Sequence, residues 1–315
     1  MQAQRSDLTD HEARLNMSAS DLKAQHFNYW IEAPAKINLT LDIKGKRPDG
    51  YHELETMMHQ ITLVDRIGFR RGGQGIRLNT DSPDIPADEQ NLAYKAARLL
   101  FEKFNLQEGI QIFIEKNIPV GAGLAGGSTD AAAVLTGINR LFDLGLEEKQ
   151  LLELGGGLGS DVPFCLLGGT ALGRGRGEIL TPIKNGPKLT IVLVKPDFQI
   201  STSEVYSDFR MDRVKKFPDN EAFISAWQSC DIISVSRQLN NVLESVSIQW
   251  HPRIADIKEQ LCELGALNAL MSGSGPSVFG IFTRYEIARQ AWAHIKQQYP
   301  QTYLVSTYKK GEKYD

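Results

Sequence analysis

One stretch constrains the chain more than any other. In "IPVGAGLAGGSTDAAAVL", residues 118–135, a loop dense in glycine runs directly into an alanine-rich stretch with helical spacing. Successive glycines let the backbone turn with its N–H groups exposed and let a ligand approach closely. The helix that follows offers free N–H groups and the positive end of its dipole. A phosphate group is the natural occupant. The segment before the loop, "IQIFIEK", reads as a strand. Beyond it, Ala131, Val134, Leu135, Ile138, Leu141 and Phe142 recur at three- and four-residue spacing, the stripe of a helix packed on a core. The loop therefore joins a strand to a helix.

The flanking chain supplies the rest of an α+β layer. "YWIEAPAKINLTLDI", residues 29–43, alternates apolar and polar residues around a proline break and reads as extended. After the turn "KGKRPDG", a second strand is expected in "MMHQITLVD", with "RIGFR" and "GIRLNT" as separate short strands around Gly72 and Gly73. "NLAYKAARLLFEKF" puts Leu92, Ala96, Leu99, Leu100 and Phe104 on one helical face. Proline, glycine and lysine cluster in "TPIKNGPK", residues 181–188, and mark a domain boundary. Residues 29–187 and 188–315 are thus expected to form two domains, with residues 1–28 a mobile tail. In the second, "LTIVLVK", "SVFGIF" and "TYLVSTY" read as strands. Helices are expected around Ile254, Ile257, Leu261 and Leu264, and around Ile287, Ala291 and Ile295.

Composition excludes several classes of function. The formal charge of −3 comes from 35 basic and 38 acidic residues spread along the chain, so no broad field points to nucleic acid or an anionic membrane. The longest apolar runs fall well short of the ~18 residues needed to span a bilayer. Asp7, Asp10, Glu12 and Asp21 in the first 26 residues match neither a secretory signal nor an acid-poor transit peptide. Cys165, Cys230 and Cys262 form no C-x-x-C pattern and are read as core residues of a cytoplasmic protein.

The loop satisfies two literal motifs imperfectly. "GAGLAG", residues 121–126, is a G-x-G-x-x-G, which would make Asp143 the acid on a nucleotide ribose. Asp143 follows helical "NRLF", however, rather than ending a second parallel strand. Gly121, Gly126 and Ser128 also have P-loop spacing, but Gly127 stands where that motif needs its lysine. Such a loop can hold phosphate yet lacks the Walker charge.

"PVGAGLAGGSTDAAAV", together with "PAKINLTLDI" at 34–43 and "LMSGSGPSVFGIF" at 270–282, resembles the three ordered motifs of the GHMP kinases. "KRPDGYHELETMMHQITLVD", "DEQNLAYKAARLL" and "GSDVPFCLLGGTALGRGRGE" are similar to one branch of that family. The branch phosphorylates the 2-hydroxyl of 4-diphosphocytidyl-2-C-methyl-D-erythritol with ATP, on the non-mevalonate route to isopentenyl diphosphate. The resemblance implies a two-domain α+β kinase with its active site in the interdomain cleft, acting on a small cytidine diphosphate-linked molecule. It fits a monomer or weak homodimer.

The resemblance also implies roles. Asp161 would be the base and Lys36 its partner; sequence chemistry alone would read Asp161 as a helix cap and Lys36 as a solvated strand lysine. Asn91 and Leu92 would contact adenine. Pro119, Val120, Gly121, Ala122, Gly123, Leu124, Ala125, Gly126, Gly127, Ser128 and Thr129 would wrap the triphosphate, with Ser128 nearest Mg²⁺. A cytosine needs a stacking face and an edge partner. Tyr51, His52 and Tyr206 would supply these, with Asn38 and Thr202 as further substrate contacts. Two positions depart from the family's commoner wording: Ala125 replaces a glycine, and Asp130 places a carboxylate one turn into a phosphate-binding helix, where it suits the dipole but repels nucleotide. "SGSGPS", residues 272–277, is expected to close behind the loop rather than react.

Overall fold

A computed structural model describes residues 27–309; residues 1–26 of the expected tail lie outside the described residues. Phe27 packs against Trp30 and Phe113, with ring centroids 5.9 and 5.6 Å apart. Strands β1 (Tyr29–Lys46) and β2 (His52–Arg71) form a long antiparallel ribbon. In β1, Ala35, Ile37 and Leu39 point into the core, while the intervening Lys36, Asn38 and Thr40 are buried on the opposite, polar face. The proline break is a register shift between Pro34 and Lys36.

The expectation of a separate "RIGFR" strand is overturned, because β2 runs unbroken through Asp65. A fully buried aspartate would end a strand if it were unsatisfied. Here its Oδ1 accepts the amides of Asn117 at 2.6 Å and Ile118 at 2.8 Å, and its Oδ2 pairs with Lys116.

β3 (Ile76–Thr80) leads to helix α1 (Leu92–Phe104), which Asn91 caps by accepting the Ala93 amide at 2.9 Å. Its fully buried positions are Ala93, Ala96, Ala97 and Leu100, a stripe turned slightly from the expected one toward the small alanines. β4 (Ile110–Glu115) pairs with β3 in parallel and with Arg66–Arg71 of β2 antiparallel. Helix α2 (Gly126–Leu141) follows the glycine loop and buries Ala131, Val134, Leu135 and Ile138. It approaches the sheet closely at Gly137, where an added methyl would lie 2.4 Å from the Phe69 ring. Helices α3 (Glu148–Leu158) and α4 (Val162–Leu167) complete the layer. Strands β5 (Thr170–Gly175) and β6 (Ile179–Pro182) form a hairpin on Leu54–His59 of β2.

Beyond residue 188 lie β7 (Thr190–Val194), α5 (Thr202–Asp208), α6 (Asn220–Gln228), α7 (Ile232–Gln238), β8 (Asn240–Asn241) and α8 (Glu244–Trp250). They are followed by α9 (Arg253–Glu263), β9 (Asn268–Met271), β10 (Val278–Phe282), α10 (Tyr285–Ile295) and β11 (Thr302–Ser306). Here the sheet order is β11-β7-β10-β9, all antiparallel. The expected α9, β10, α10 and β11 are present. The short helices α5 to α8 were not foreseen. With two turns or so each, they show little periodicity, and their signal lies in caps such as Ser201, Asp219 and Asp231.

The two sheets share one core, in which Ile37, Leu39 and Ile61 meet Ile191, Leu193 and Phe279. β8 also pairs in parallel with Thr40 and Leu41 of β1. The core reading of the cysteines is corrected: Cys165 is half-buried, whereas Cys230 and Cys262 are exposed. Among the described residues no helix is long and apolar enough to cross a membrane.

Candidate active site

A cavity of about 1050 Å³ opens between the polar face of β1, the glycine loop and α5. Every site residue expected from sequence lines it except Thr129, which is buried with its hydroxyl on the Cys165 thiol. Asp143 sits in a left-handed turn beyond the far end of α2 (φ 49°). A sixteen-residue helix separates it from the loop by roughly 24 Å, so Asp143 is not placed to serve as the ribose acid of the dinucleotide reading.

The loop earns its glycines. Gly121 and Gly123 take φ of 64° and 73°, in the left-handed region. A methyl on Gly123 would lie 2.4 Å from the Ser272 carbonyl oxygen. That crowding reflects how the "SGSGPS" turn backs the loop, since Ser272 Oγ donates to the Gly123 carbonyl at 3.0 Å. From the other side the Lys36 amide donates to the Leu124 carbonyl at 3.1 Å. The loop is held between β1 and the turn. Ala125, the residue just before helix α2, is left-handed (φ 57°), and no side chain caps the first amides of the helix. Uncapped amides facing a cavity make an anion site.

The two candidate reacting side chains meet across the cleft. Lys36 Nζ donates to Asn38 Oδ1 at 2.7 Å and lies 3.6 Å from Asp161 Oδ2. Asn38 is fixed in turn by donating to Thr56 Oγ1 at 2.8 Å. Asp161 occupies the N-cap position of α4 but makes no capping bond, and its side chain is 36% exposed to the cleft. The capping interpretation therefore fails for this aspartate. The site thus sets a partly exposed carboxylate facing the cleft beside a buried lysine side chain.

Beneath the loop, Lys116 binds both Asp65 and Asp130, the latter at 3.2 Å. Burial alone would discharge this lysine, but the Asp130 and Asp65 carboxylates more than offset it and raise its pKa. Burial, reinforced by Asp65, holds the Asp130 carboxyl well above the usual carboxylate range in spite of Lys116. The repulsion that Asp130 would exert on a nucleotide is thus absorbed underneath the helix. Lys116 and Asp65 were missed from sequence, since no motif spacing joins positions 65, 116 and 130.

At the other end, His52 and Tyr206 have ring centroids 5.5 Å apart, and Phe209 packs edge-on to His52 at 6.3 Å. Burial and then the nearby Lys46 lower the His52 pKa, leaving a neutral imidazole with one donor and one acceptor. Burial raises the Tyr206 phenol, which stays protonated. Thr202 Oγ1 shares a hydrogen bond of 2.8 Å with Ser274 Oγ. Tyr51 stands at the rim, 57% exposed. Asn91 Nδ2 donates to the Pro86 carbonyl at 2.7 Å, tying the 85–91 segment to α1 beside the loop. Lys46, Arg176 and Arg210 also reach the cavity and carried no sequence signal of their own.

The family models described as "GHMP kinases N terminal domain" and "GHMP kinases C terminal" match residues 91–169 and 225–301. A protein of Syntrophomonas wolfei named 4-diphosphocytidyl-2-C-methyl-D-erythritol kinase is 56% identical over 281 residues, 89% of this chain and 99% of that one. One of the same name from Clostridioides difficile is 46% identical over 283 residues, 89% of this chain and 96% of the other. The crystal structure of a 4-(cytidine 5'-diphospho)-2C-methyl-D-erythritol kinase superposes with a TM-score of 0.78 at 33% identity, covering 89% of this chain and all of that one, 100%. The crystal structure of an L. major mevalonate kinase in complex with R-mevalonate shares the fold with a TM-score of 0.70 at 16% identity, covering 90% of this chain and 97% of that one.

Proposed function

The chain belongs to the GHMP kinases, and from that premise we propose how its cleft works. It is a small-molecule kinase that transfers phosphate from ATP to the 2-hydroxyl of 4-diphosphocytidyl-2-C-methyl-D-erythritol, giving the 2-phosphate and ADP. One observation carries the site assignment. Lys36 and Asp161 face each other in the same cavity as the uncapped start of α2 and the aromatic cluster.

In this reading, Asp161 accepts the proton of the 2-hydroxyl as the oxygen attacks phosphorus. Lys36, kept in place by Asn38, stabilises the charge that develops on that oxygen. The loop amides hold the triphosphate, and residues 85–92 border the adenine. His52 offers donor and acceptor to the cytosine edge, Tyr51 and Tyr206 its stacking faces, and Thr202 a hydroxyl.

Mg²⁺ fits the donors present. It favours a few protein oxygens completed by phosphate and water. Ser128 supplies one such oxygen at the cavity, and no cluster of three or more acidic, histidine or cysteine side chains exists among the described residues to cage a metal. Bound beside Ser128, the ion would neutralise charge on the triphosphate. The two structural halves, 29–187 and 188–315, are proposed as the domains that bound the cleft, in a cytoplasmic monomer or weak homodimer.

The test is ADP release with Mg-ATP and the cytidine diphosphate-linked substrate. Asp161→Asn should cut kcat by about 10²–10⁴, the usual worth of a positioned base, and Lys36→Met should act on kcat rather than on either KM. Asp161→Asn turnover within tenfold of the parent would remove the base assignment. Turnover with mevalonate or homoserine in place of the cytidine compound would remove the substrate.

A further inference from the structure

Tyr51 is an unusual platform for a base. Its side chain stands more than half in solvent. A tyrosine so placed can swing about its side-chain torsions, and each such freedom lost on binding weakens affinity. The group laid over it is the Arg176 guanidinium, its carbon 5.0 Å from the ring centroid. Arg176 and Gly177 line the same cavity as Tyr51 and His52.

Arg176 does not reach Tyr51 by chance of a long side chain. It belongs to the tight β5–β6 turn, where Gly175 and Gly177 take φ of 71° and 107°. A methyl on Gly175 would meet Glu178 Oε2 at 3.0 Å. The Arg176 amide donates to that same oxygen at 2.6 Å, and Glu178 Oε1 lies 3.7 Å from the guanidinium Nε. The turn is also fastened to the one that carries Tyr51. The Gly175 amide donates to Glu53 Oε1 at 3.0 Å, Glu53 Oε2 pairs with Arg47 at 2.7 Å, and Asp49 Oδ1 accepts the Tyr51 amide at 3.1 Å. Two hairpin turns from different parts of the chain are thus joined at the rim, with the arginine stacked on the tyrosine at the junction.

We infer that Arg176 is a positioning residue for the nucleobase: stacked on one face of Tyr51, it fixes the ring so that the opposite face is ready to receive cytosine. The inference rests on the proposed role of Tyr51 in holding the base. A cation over the ring costs the site little when it is empty and removes the ordering that a free rim tyrosine would require. Its effect should be confined to the cytidine end, since ATP binds at the loop.

Cytidine itself is the decisive probe, because it carries no phosphate for an arginine to attract. With cytidine as competitive inhibitor, Arg176→Ala should raise Ki about two- to fivefold, the worth of a partly exposed cation–π contact. KM for the diphosphate-linked substrate should rise comparably, with kcat and the KM for ATP unchanged. Arg176→Lys should recover part of the loss and Arg176→Met none. Tyr51→Ala should weaken cytidine more than Arg176→Ala does, and the double variant should match Tyr51→Ala, because the arginine acts through the ring. Multiplicative losses in the double variant would show a direct arginine contact and overturn the inference, as would an unchanged or lowered Ki in Arg176→Ala. If Tyr51→Ala leaves cytidine binding intact, the base site itself is misplaced; if Tyr51→Ala weakens it and Arg176→Ala does not, only the brace fails.

Discussion

Gly127→Ala separates what the loop does for the fold from what it does for the nucleotide. Gly127 lies in the first turn of α2, and an added methyl would meet nothing within 4 Å. For the protein alone the change is benign. Alanine is the better helix former by up to ~1 kcal/mol, less in a first turn, so the melting temperature should stay level or rise by about 1–3 °C. The open space, however, belongs to the cavity where phosphate is proposed to sit. A methyl there holds a phosphate oxygen away from the uncapped amides. Losing one charge-assisted hydrogen bond of ~1.5–3 kcal/mol raises the KM for ATP about ten- to hundredfold. Steady-state assays over a wide ATP range, with thermal melts of the same preparations, read both effects. Gly123→Ala provides the contrast: its methyl would sit 2.4 Å from the Ser272 carbonyl oxygen at a φ of 73°, so stability itself should drop. A Gly127→Ala enzyme with unchanged KM for ATP would refute the backbone cradle.

Other expectations concern the fold around the site. Gly137→Ala forces a methyl to 2.4 Å from Phe69, a fully buried ring, and should destabilise by about 1–3 kcal/mol in urea unfolding, with little change in KM for the survivors. Lys116→Met strands Asp65 and Asp130 and should cost about 3–5 kcal/mol; adding Asp130→Asn should recover part of it, and equal stability of the single and double variants would dissolve the triad. Burial lowers the His59 pKa to about 3, so between the ordinary histidine value and about 3 the unfolded chain takes up a proton the folded chain refuses. Stability should therefore fall by about 1.4 kcal/mol per pH unit as pH drops below ~6.5. His59→Gln should flatten that limb, and an unchanged slope would show that another group sets it.

What could be read from the sequence was what repeats with a period or falls within one motif. The β1 alternation of Ala35, Ile37 and Leu39 against Lys36, Asn38 and Thr40 predicts the strand, whereas only the motif resemblance, and not the alternation, put Lys36 and Asn38 in a cleft rather than in solvent. The loop announces its helix for the same reason. Residues 65, 116 and 130 form one charge cluster only because β2 carries Asp65 through the sheet to the segment that enters the loop. Likewise Arg176 and Tyr51 meet only because β5 pairs with the first half of β2 and brings two turns to one rim. Such pairings depend on strand register, which no local window contains. The long β2 is what makes them possible. By pairing with β5 near its start and with β4 near its end, it joins the rim proposed to hold the nucleobase and the segment that enters the glycine loop through one strand. On this geometry, shifting the register of β2 should disturb both ends of the site together, whereas substitutions in either turn should disturb only one.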